Sequence, residues 1–133
     1  MNDVFNLTDI AGPEKTNNIS TISLIKDLLN SQKLSGQFIS DVFEGKILLS
    51  YEVMCKCRDA LMTVKQLNDV IYRQSTAFLD KMNDLQRSNP DLKISRDLML
   101  SFIIDTNAQM KKADNNFSVI AEWGEVKSTD PIR

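Results

Sequence analysis

The side chains with the clearest claim to chemistry are Cys55 and Cys57 and the acid pair Asp80 and Asp84. Two thiolates spaced C-x-C would suit a soft metal or a disulfide. On a helix, however, they lie about 200° apart around the axis and cannot bridge each other. A metal site would need further Cys or His, and the chain has two Cys and no His. The missing imidazole also removes the commonest general base, the Cys–His and Ser–His nucleophile pairs, and the Glu-x-x-His motif of di-metal bundles. Asp80 and Asp84 share a face at i, i+4. With Asp59, Asp69, Asp97, Asp105 and Asp114 they read as a solvated charged surface rather than an acid–base pair. Neither a Walker-type phosphate loop nor a G-x-G-x-x-G turn occurs. These residues predict no catalytic, metal or cofactor site, and a protein that is not an enzyme.

The elements that would carry those residues are helices. The 133 residues suit one domain, and four Gly and three Pro are few for a many-turned β-sandwich. A formal net charge of -2 argues against nucleic-acid binding, which needs clustered Lys and Arg. No run reaches the roughly 18 apolar residues of a membrane span, so no stable span is expected. The N-terminus lacks a basic region followed by a long apolar one, so no cleaved signal peptide is read there.

In chain order, residues 1–18 read as a flexible segment in which Gly12-Pro13 stops any early helix. Ser20 or Thr21 then caps a short helix over 21–32, with Ile22, Ile25, Leu28 and Leu29 on one face. Residues 37–50 read as a second short helix, or as a kinked start of the next, bent near Gly45. The long helix over 47–88 carries Met54, Cys57, Leu61, Val64, Asn68, Ile71, Ser75, Phe78, Met82 and Leu85 in alternating steps of three and four. Asn68 is either a half-exposed polar position or a register-setting contact inside a bundle. Ser88-Asn89-Pro90-Asp91-Leu92 turns the chain, since Pro90 cannot continue a helix and Asn89 is driven out of the α region. A last helix, starting at 92 or 95, runs to about 123, with Gly124 as its C-cap. Between Leu98 and Ile104 it is apolar nearly all round, so it is expected to need more than one neighbour. The predicted fold is all-α: a long helical hairpin, turning near 88–94, with one or two shorter N-terminal helices and antiparallel packing. Residues 19–124 form the single helical domain and 125–133 a tail.

The segment Asn89-Pro90-Asp91-Leu92-Lys93-Ile94-Ser95-Arg96-Asp97-Leu98-Met99 resembles the opening of the C-terminal helix in the inner rod proteins of bacterial type III secretion systems. The resemblance covers about 85–128. It implies a small helical subunit that assembles by helix packing between the export gate and the needle. Its partners would be other copies of itself and those secretion-apparatus proteins. It would sit in the bacterial cell envelope, exported without a cleaved signal. By the same resemblance, Leu98, Met99, Phe102, Ile103, Met110, Phe117 and Ile120 would be assembly contacts, with Asn89 and Pro90 at the hairpin turn. The alternative is a soluble cytoplasmic chaperone or adaptor that offers an apolar groove to one protein partner.

Overall fold

The computed structural model describes residues 12–85 and 92–128. It contains three helices and, among the described residues, no strand: α1 (Gly12–Phe43), α2 (Tyr51–Leu85) and α3 (Leu92–Ser128). The all-α class is therefore as expected, and three helices lie within the expected number, but their bounds differ: residues 37–43 continue the first helix. At 32, 35 and 37 residues the helices are of similar length, so no pair of short N-terminal helices precedes a hairpin. The turn residues Asn89 and Pro90 lie outside the described residues.

Two glycines account for the revised bounds. The first helix is expected to end at residue 32, yet α1 runs straight on through Gly36. Ile22, Ile25, Leu29, Gln32 and Ile39 are buried at heptad spacing, and Gly36 occupies the seam position between the last two. Gly45 was read as a bend inside a helix, yet it ends one. Its φ is +83°, the left-handed conformation that terminates helices. The Lys46 N–H donates to the Asp41 carbonyl at 2.8 Å and the Gly45 N–H to the Val42 carbonyl at 3.1 Å. That pair of bonds is a Schellman cap, which satisfies carbonyls the helix end would otherwise leave open. Pro13, read as a stop, lies in the first turn of α1, where no helical partner awaits its missing N–H.

α2 begins at Tyr51 rather than 47. The Ser50 hydroxyl accepts from the Val53 N–H at 3.2 Å, an N-cap, and the Ser50 carbonyl accepts from the Met54 N–H at 2.8 Å. At the other end of the chain, Gly124 does not cap α3, which continues to Ser128. A Cβ on Gly124 would lie 3.1 Å from Cγ and 3.2 Å from Cε of Met54. Gly124 is thus a close-approach residue that lets the start of α2 lie against α3.

All three helices contribute to two apolar clusters. The first gathers Ile22, Ile25 and Leu29 of α1, Ile71, Phe78 and Met82 of α2, and Met99 and Phe102 of α3. The second gathers Ile39 and Val42, then Cys57, Leu61 and Val64, then Ala113 and Ile120. The seam read from Met54 to Leu85 is largely the buried face of α2: Cys57, Leu61, Val64, Ile71, Ser75, Phe78 and Met82 are all buried. Burying each large aliphatic side chain contributes about 1.5–3 kcal/mol.

The two glycines of this region respond oppositely to alanine. At Gly45 no atom lies within 4 Å of an added Cβ, so only the backbone conformation resists it. Gly45→Ala is expected to lower stability by about 1–2 kcal/mol. Gly36 is equally open to a Cβ but helical, so Gly36→Ala is expected to raise stability by up to about 1 kcal/mol. Urea midpoints at unchanged slope are the measurement; shifts of the same sign for both variants would contradict this account.

Candidate functional site

The candidate site is built on α3. Its innermost line, Met99, Thr106, Ala113 and Ile120, recurs every seven residues, and all four are buried. Phe102 joins them. Ile103, Met110 and Phe117 are half-buried on one flank of that line. Asp114 shares this flank and meets Lys65 of α2 at 3.4 Å, so the flank faces α2. The opposite flank faces α1 across a cleft of about 420 Å³, lined by Lys33, Gly36, Ser40, Asp105, Ala108 and Lys112 among others. The missing side chain at Gly36 is what leaves the cleft open.

The residues that the resemblance singles out therefore divide by depth. Met99, Phe102 and Ile120 are buried inside the chain, while Leu98, Ile103, Met110 and Phe117 are half-buried at its boundaries. As assembly contacts, the first three would require the helices to separate. The segment 98–104 is not enclosed on all sides. Leu100 keeps 42% of its surface exposed and Ile104 66%, one turn apart on the outward face. A second exposed apolar group sits near the α1–α2 connection. There Phe43 and Trp123 stack at 5.9 Å between ring centroids, with Leu48 and Tyr51 exposed nearby in sequence.

Beneath the α3 face lies a polar layer that sequence reading placed elsewhere. Gln32 is fully buried. Its Nε2 donates to the Val64 carbonyl of α2 at 3.1 Å and, at 3.5 Å, to the Thr106 carbonyl of α3. The Thr106 hydroxyl donates to Gln32 Oε1 at 2.8 Å. One side chain thus ties all three helices together. Asn68, for which a register-setting contact was one of two readings, is half-buried, and among the described residues its buried Oδ1 has no hydrogen-bond partner, nor has the Ser75 hydroxyl. The signal for Gln32 was present as its heptad step from Leu29. It was lost because the helix was ended at residue 32.

Cys57 belongs to the second cluster, and burial pushes its thiol up to about 11. Cys55 is half-buried, and both are free thiols. Asp80 and Asp84 are exposed. Among the described residues no group of His, Cys, Asp and Glu could hold a metal ion, and no helix is long and apolar enough to cross a membrane. No protein family, curated protein or solved structure matches the chain.

Two measurements probe this arrangement. Thr106→Val leaves Gln32 Oε1 without its donor and is expected to cost about 1–3 kcal/mol. The double variant with Gln32→Leu should cost less than the sum of the singles, because no buried amide is left unpaired; strictly additive losses would mean the bond carries no coupling. For the thiols, iodoacetamide at pH 8 should label Cys55 well before Cys57, since only a thiolate reacts. Equal rates in the native protein would show that Cys57 is not sequestered.

Proposed function

We propose that this chain works by helix–helix packing against other proteins, with the outward face of α3 as its contact surface. The supporting observation is Leu100 and Ile104: two large apolar side chains stand exposed on a helix whose inner face is already filled by α1 and α2. Single exposed apolar residues are ordinary, but adjacent ones over a complete core are the usual mark of a contact surface. We read the three helices as an up–down–up bundle, with α2 and α3 as an antiparallel hairpin and α1 laid along it. Membership of the two clusters supports that topology. Each cluster pairs early α1 with late α2 and early α3, or late α1 with early α2 and late α3.

The narrower role we propose is a structural subunit of a bacterial type III secretion apparatus, an inner rod component between export gate and needle. Its support is the resemblance over 89–99, which leads directly into the exposed pair on α3. On this reading Ile103, Met110 and Phe117 extend the contact along the α2 flank, while Met99, Phe102 and Ile120 hold the subunit together. The second reading is a chaperone or adaptor with one protein partner. It is favoured by those same inward residues, because a chain that covers its own core does not depend on assembly to fold.

Ile104→Asp separates contact from fold. Being at an exposed position, it should shift the thermal midpoint by no more than about 2 °C. It should nevertheless abolish co-purification with the secretion apparatus from envelope extracts. Leu34→Asp, at a position 74% exposed on α1, is the control and should leave assembly intact. Normal assembly and secretion by Ile104→Asp would remove α3 as the contact surface.

A further inference from the structure

We infer that the outward stripe of α3 is a two-fold contact between two copies of this chain. The inference rests on the reading of α3 as the contact helix and names what lies on it. The stripe comprises Asp97, Leu100, Ile104, Ala108 (at the rim of the α1 cleft) and Lys111, in steps of three and four, and all five are exposed. Its chemistry is self-complementary about Ile104. An acid stands seven residues before it and a base seven after; a large apolar side chain stands four before and a small one four after.

A second α3 laid antiparallel, with the two-fold axis at Ile104, makes every pairing favourable. Asp97 meets Lys111 of the second copy, and Lys111 meets its Asp97. Leu100 shares a layer with Ala108 of the second copy, large against small, as interlocking helices require. The two Ile104 side chains meet on the axis. A parallel arrangement sets Asp97 against Asp97, Lys111 against Lys111 and Leu100 against Leu100, and leaves a gap at Ala108. The antiparallel form is the isologous contact expected of a closed dimer. Neither Asp97 nor Lys111 is committed to an ion pair within the described residues. Both charges are therefore available to the second copy.

The stripe is about 21 Å long at 1.5 Å per residue. A single helix pair of that length buries less than the ~800 Å² per partner of a standard interface, so the dimer should be weak, with Kd between about 10 μM and 1 mM.

Sedimentation equilibrium of the full chain across that range, at low salt, is the test. Wild type should dimerise. Asp97→Lys and Lys111→Asp should each weaken dimerisation by about tenfold or more, because each sets like charges together twice. An equimolar mixture of the two variants should recover it as a heterodimer in which both pairs are again opposite in sign. Circular dichroism checks that the variants, altered only at exposed positions, keep their helices. A wild type that stays monomeric to about 1 mM, or a mixture no tighter than its separate components, overturns the two-fold contact. If wild type is monomeric while Ile104→Asp still loses its place in the envelope complex, a different protein occupies the α3 face. That result sinks this inference and leaves the broader reading standing.

Discussion

The Gln32 side chain is the constraint on which the rest of this structure depends. It sits between two apolar clusters that supply most of the burial but little of the specificity. A heptad seam slipped by seven residues presents much the same apolar surface to its neighbours. A slip of α3 would set Met99 or Ala113 opposite Gln32 in place of Thr106. The amide would then be buried without its Thr hydroxyl, at a cost of about 1–3 kcal/mol. Such a penalty is small beside the hydrophobic total, yet it falls only on the wrong registers. The clusters make the bundle stable, and the polar layer makes it one bundle.

The helical character was legible because it rests on periodicity, which survives local irregularity. The seam of α2 and the inner line of α3 could be read directly, since an apolar residue every three or four positions has few other uses. The glycines were not legible in the same way. Gly36, Gly45 and Gly124 are chemically identical, and sequence offers no means of telling a seam vacancy from a left-handed cap or a close-approach site. Only the neighbours decide: nothing near Gly36, a positive φ at Gly45, and Met54 against Gly124. With the first helix expected to end at 32, Gln32 stands at its last position, and its place in the seam shows only once α1 continues through Gly36. Asn68, open to two readings from sequence, is the half-exposed polar position rather than the register contact.

The candidate site shows a related division. Sequence pattern identified α3 as the helix with apolar residues to spare, and Leu100 and Ile104 are indeed outside the core. Pattern alone could not rank the members of the set by depth, because depth depends on which of them α1 and α2 cover. Met99 and Phe102 pack with Ile22, Ile25 and Leu29, within the short helix read from sequence, whereas Ile120 shares its cluster with Ile39 and Val42 beyond it.

The stack of Phe43 on Trp123 has a spectroscopic consequence. Trp123 is the chain's single tryptophan, and its ring lies 5.9 Å from that of Phe43, at the far end of α1 from Ile22. α1 and α3 are joined only through the whole of α2, so this ring pair forms only once the chain has closed on itself. Its emission therefore reports a long-range closure of the chain, whereas far-ultraviolet ellipticity reports helices wherever they form. A lag between the two signals during refolding would time the docking of α1 without any introduced label.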